Sequence, residues 1–90
     1  MGRQSKISKD ALNNTEVLIK KYIAEFLNER QKMERTKLTD ELTIALTGLS
    51  MLMTERDKSK AVNIIDDYGL SGIIKNSALR IRSNNTLAFT

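Results

Sequence analysis

The residues best equipped for chemistry are cations and an amide gathered toward the C-terminal end. Lys75, Asn76, Arg80 and Arg82 follow a Gly69-Leu70-Ser71 stretch that reads as a turn. Lysine and arginine hold phosphates, and asparagine and arginine also carry the donor and acceptor geometry that reads base edges. A second basic group, Arg3, Lys6 and Lys9, opens the chain and suits phosphate tracking. Together they nominate duplex DNA as a partner.

Catalysis has little to work with. The chain has no His and no Cys, which removes imidazole bases, thiolate nucleophiles, disulfides and ordinary zinc ligand sets. Neither a Walker loop nor a dinucleotide-binding glycine pattern occurs. The acidic neighbours Asp40/Glu41 and Asp66/Asp67 would project about 100° apart on a helix, so neither pair is arranged to share a proton. The expectation is a non-enzymatic protein that needs no cofactor and no metal.

The charge balance agrees with an anionic partner without demanding one. Lys plus Arg number 15 against 11 Asp plus Glu, a net charge of +4, and the sequence pI is near 9.6. No apolar run is long enough to cross a bilayer, and the basic start is not followed by a secretory apolar segment. These features predict a cytoplasmic location with no membrane partner.

The elements that must position the basic groups are helices. Within 90 residues, 40% hydrophobic and 29% charged, there is room for one domain with a small core. No proline interrupts the chain, so boundaries must come from caps and glycines. Residues 1–11 read as a frayed basic arm, 12–82 as a single helical domain and 83–90 as a loose tail. A first helix is expected to start with Asn13 as its cap and Glu16 completing a capping box, with Ser8 or Asp10 as alternative starts. Leu12, Ile19, Phe26 and Met33 recur at seven-residue intervals and carry that helix to about Arg35, with a turn at 35–38.

Thr39 followed by Asp40 and Glu41 then predicts the start of a second helix. Leu38, Leu42, Ala45, Leu49 and Leu52 form a heptad-like seam along it. Ile44, Leu46, Met51 and Met53 lie off that seam, so this helix must bury more than one side. With Leu49 they make up the expected homo-oligomer interface. Gly48 marks either a close helix approach or a kink.

A third helix is expected to contain Ala61, Ile64, Ile65 and Tyr68, capped by Asp57 or Ser59. Gly69 ends it in a left-handed conformation, with Leu70 as the apolar residue beyond. Leu70, Ile73, Ile74, Ser77, Ala78 and Ile81 make a helical stripe for a fourth element. The alternation of Ala78 to Arg82 leaves a β-hairpin over 78–89 as the other reading.

The fold class expected is therefore all-α: a three- to four-helix bundle framed by a long antiparallel helical hairpin. The segment from Ala61 to Arg82 admits a helix-turn-helix-like pair. Two features depart from that pattern: Ile65 is large where close crossing wants a small residue, and Lys75 stands where an apolar residue would lock the second helix. An ordinary helical hairpin ended by Gly69 accounts for the same residues. Three functions follow in order: a small DNA-binding or regulatory protein acting as a homo-oligomer, a helical protein-binding module such as an inhibitor or adaptor, and a small assembly subunit.

Overall fold

A computed structural model describes the backbone of residues 2–89 and the side chains of residues 6–84. Four α-helices account for nearly all of it: α1 (Gly2–Asn28), α2 (Lys32–Ser50), α3 (Glu55–Asp67) and α4 (Ser71–Phe89). Among the described residues there is no strand, and no helix is long and apolar enough to cross a membrane.

Helix α1 begins eleven residues before the expected cap at Asn13, so the segment read as a frayed arm is helical from Gly2. The cause is packing. Ser8, Ala11, Thr15, Ile19 and Tyr22 are all buried, and their steps of three and four residues draw one continuous stripe along the helix. Ser8, Ala11 and Thr15 are small, which hid the stripe from a reading based on apolar spacing.

The first turn falls at residues 29–31, earlier than the 35–38 expected. Neither glycine nor proline makes it. Instead the Glu29 amide caps back onto the Glu25 carbonyl at 3.0 Å. The Glu29 carboxylate accepts from the Gln31 amide at 3.1 Å. Arg35 reaches back from the next helix, donating its Nε–H to the Glu29 carbonyl at 2.6 Å. Its guanidinium also lies 5.3 Å from the centre of the Phe26 ring, a cation–π contact. Met33 therefore belongs to α2 and is 83% exposed, outside the apolar series that Leu12, Ile19 and Phe26 begin.

Thr39 is an interior residue of α2, not its cap. It is buried, and its hydroxyl both donates to the Arg35 carbonyl at 3.0 Å and pairs with the Tyr22 hydroxyl at 2.8 Å. Thr36, Thr43 and Thr47 make the same bond to the carbonyl four residues back, which at the buried Thr43 lets a hydroxyl face the core without an unmet donor. The buried face of α2 is thus Thr39, Leu42, Thr43 and Leu46. Of the expected seam only Leu42 is fully buried, while Leu52 is 54% exposed.

Helix α3 is capped by Thr54, not by Asp57 or Ser59: the Thr54 hydroxyl accepts from the Asp57 amide at 3.2 Å. Its other end behaves as expected. Gly69 takes φ +71°, its amide bonds the Asp66 carbonyl at 2.9 Å and the Leu70 amide bonds the Ile65 carbonyl at 3.0 Å. That is the Schellman pattern, and it delivers Leu70 into the core. From Ser71 the chain stays helical through Phe89, so the hairpin reading of 78–89 does not hold for the backbone. Ser71 is the first helical residue, and its hydroxyl turns back to the Asp66 carboxylate.

The main core gathers Ile19, Tyr22, Leu42, Leu46 and Leu70, and a smaller one joins Ala11, Met53 and Ala61. Leu46 and Met53, two residues of the expected oligomer interface, are therefore spent inside the monomer. Leu49 is half-buried against the smaller cluster. Ile44 and Met51 are 59% and 79% exposed. Helix α3 packs on α1 and α4 packs on α2, while α3 and α4 touch each other only sparsely. The molecule measures 43 × 36 × 18 Å, so it is about two helix diameters thick.

Candidate nucleic-acid interface

The predicted basic residues do not form one surface. At about 100° per residue, Lys75 and Arg82 stand within roughly 20° of each other on α4, and Asn76 and Arg80 within roughly 40°. The two pairs are about 130° apart around the helix, on either side of the buried line through Ile74, Ser77 and Ile81. Lys6 and Lys9 are exposed on α1. The Arg3 side chain lies outside the described residues.

Asn76 and Arg80 face α2, where they meet two of its cations, Lys32 and Arg35. Lys32, Arg35, Thr36 and Thr39 of α2, Phe26 of α1, and Ile73, Asn76 and Arg80 of α4 line an open cleft of about 500 Å³. Lys32 and Arg35 are three residues apart on the first turn of α2 and so share a side of it. Recognising this from sequence required placing the turn at 29–31. With the turn drawn at 35–38, both cations belonged to the wrong helix.

Each cation in the cleft is held differently. Arg35 is braced by Phe26 and the Glu29 carbonyl. Arg80 is fixed by Asp40: its Nη2 and Nε both donate to the carboxylate, the Nε–Oδ2 distance being 3.3 Å. Such a two-point pair is geometrically specific. Ser77, fully buried, donates its hydroxyl to the same carboxylate at 2.7 Å. The Arg80 guanidinium, helped by the Ser77 hydroxyl, holds the Asp40 carboxyl below its ordinary range against the opposing effect of partial burial, and Asp40 in turn raises Arg80. Lys32 is exposed at the mouth. Gln31 caps α2 with extended backbone but no side-chain hydrogen bond, so the first amides of α2 point outward without a side-chain acceptor.

The arrangement can receive an anion: three cationic groups and one amide converge on a cleft, offset by one carboxylate. Phe26 and Ile73 supply apolar floor beside them. The cleft has the makings of a phosphate contact surface. No family model, curated protein or solved structure matches the chain.

Proposed function

We propose that the chain is a small DNA-binding, regulatory protein that acts as a homo-oligomer in the cytoplasm by binding rather than catalysis, and that it engages the phosphate backbone through the α2/α4 cleft. One observation carries this reading: Lys32, Arg35, Asn76 and Arg80, from two helices, line the same open cleft. Contacts of that kind position a protein on a duplex more than they read its sequence. The sparse packing of α3 on α4 argues against a helix-turn-helix unit with α4 as its reading helix, because such a unit needs its two helices locked together.

The frame for the cleft is an antiparallel α1/α2 hairpin. Its support is the order of contacts, which reverses between the helices: Phe26 meets Arg35, Tyr22 meets Thr39, and Ala11 clusters with Met53. The exposed apolar residues Ile7, Met51 and Leu52 favour a second reading, in which the chain binds proteins as an adaptor or assembly subunit.

The test is a titration of duplex DNA at two salt concentrations with wild type, Lys32→Ala, Asn76→Ala and Lys75→Ala. Lys32→Ala should weaken binding on every sequence and lower the salt slope by about one unit. Lys75→Ala, on the opposite flank of α4, should change neither. Binding no tighter than millimolar at low salt would reject the DNA reading and give precedence to a protein partner. Sensitivity to Lys75 but not Lys32 would move the contact surface off the cleft.

A further inference from the structure

Helix α2 carries a second set of apolar residues, interrupted by Lys37 and Asp40, on the flank outside its buried face. Met33, Ile44 and Met51 are all mainly exposed. Separations of eleven and eighteen residues bring them within about 20° of one another around the helix. Met51 still has helical backbone, φ −67° and ψ −18°, so the line holds to the end of the helix. There it opens into a cleft of about 380 Å³ lined by Ile7, Met51, Leu52, Met53 and Thr54. A flexible apolar knob thus stands at one end of the line and an apolar hole at the other, about 27 Å apart along the helix.

Gly48 lies beside this line. A Cβ there would meet nothing within 4 Å, so packing inside the monomer does not require glycine, although glycine weakens a helix interior. The missing side chain leaves room for a second chain to come close at this face. The molecule as a whole also has surface to spare. The monomer exposes 6848 Å², against about 5,300 Å² for a compact protein of its mass. The excess of roughly 1,500 Å² exceeds the ~800 Å² that each partner contributes to an ordinary stable interface.

We infer that the occupant of this face is a second copy of the chain: two α2 helices pair antiparallel about a two-fold axis, and Met33 of each enters the Ile7/Met51/Leu52 cleft of the other. A two-fold makes the contact self-complementary and closed, because the knob and the hole exchange together. At the same register the Lys37 stem crosses Gly48 of the second copy. The inference rests on the homo-oligomer part of the proposed function, and its test uses no DNA.

The chain has no cysteine, which makes cross-linking decisive. Chains carrying Met33→Cys are mixed with chains carrying Met51→Cys and oxidised. A disulfide needs its Cα atoms within about 7 Å, so the mixture should form covalent dimers while neither variant alone does so. Sedimentation of the unmodified chain should give twice the 10.2 kDa monomer mass. Gly48→Gln should weaken dimerisation at least tenfold while circular dichroism stays unchanged. Cross-linking of either variant alone would mean a parallel pairing and overturn the proposal. A dimer by sedimentation with no cross-link in the mixture would overturn this face and leave the homo-oligomer standing. A monomer at high concentration would overturn both.

Discussion

Ser8 offers the sharpest perturbation of the fold. It is fully buried, and its partners lie 46 and 49 residues away. Its hydroxyl accepts from the Thr54 amide at 2.8 Å and donates to the Asp57 carboxylate. It thereby completes from outside the reciprocal cap that Thr54 and Asp57 begin at the start of α3. Ser8→Ala removes one hydrogen bond to a charged group, worth roughly 1.5–3 kcal/mol, and leaves an amide unmet for about 1 kcal/mol more. The expected loss is about 3 kcal/mol, a large part of the roughly 5–13 kcal/mol that a chain of this length holds. Thermal unfolding should fall by about 15 °C. In a double-mutant cycle, Ser8→Ala should cost at least about 1 kcal/mol less in an Asp57→Ala background, since the two side chains share one contact. Lys9→Ala, exposed next door, serves as the control, with a change within about 0.5 kcal/mol. A Ser8→Ala variant that melts within about 3 °C of wild type would refute the reasoning and restore a frayed N-terminal arm.

Gly69→Ala should destabilise by about 1–2 kcal/mol in chemical denaturation, because φ +71° places a Cβ in the left-handed region; an unchanged midpoint would remove the Schellman argument. Asp40 makes stability depend on pH. Its carboxyl is lowered in the folded state by Arg80, so its contribution is complete above the ordinary carboxylate range near 4 and is lost as pH falls below it. Urea titrations from neutral to acid pH should show a loss that Asp40→Asn reduces. Leu46→Ala should cost about 2–5 kcal/mol, since Leu46 is in the core. Ile44→Ala should leave the stability of the dissociated monomer within about 0.5 kcal/mol. Equal losses at both sites would contradict the burial assigned to α2.

The helical class, the end of α3 and the stripe of α4 apart from the exposed Ile73 were legible because each rests on local physics. Gly69 followed by Leu70 is the pair that a left-handed exit needs, and Leu70 to Ile81 repeats with helical spacing. The faces of α1 and α2 were not legible, because hydroxyl residues occupy them. Ser8, Thr15, Thr39 and Thr43 are buried, with their hydrogen bonds met by carbonyls or by distant side chains. Reading apolar spacing alone moved the seam of α2 onto Leu38, Ala45 and Leu52. The turn at 29–31 carries no glycine or proline, and its anchor, Arg35 against Phe26 and Glu29, spans two helices. A cationic residue in a polar stretch looks solvated until that contact is known. The displaced turn then concealed the candidate site, because Lys32 and Arg35 meet Asn76 and Arg80 only across helices.

The reversed order of contacts between α1 and the rest of the chain also sets a sequence of events. Phe26 and Arg35 are nine residues apart in the chain, Tyr22 and Thr39 are 17 apart, and Ser8 and Asp57 are 49 apart. Closing the longest of these loops costs about 0.9 kcal/mol more than closing the 17-residue one, and it also waits for α3 to form. The molecule should therefore fasten from the turn at 29–31 outward, with the N-terminal part of α1 arriving last. In stopped-flow kinetics, Tyr22→Phe should slow folding, whereas Ser8→Ala should mainly accelerate unfolding. The reverse assignment would mean that nucleation starts at the far end. On a ribosome the same order leaves the first two turns of α1 waiting until Asp57 has emerged, so the segment that looks most like a detachable arm is the clasp that closes the fold.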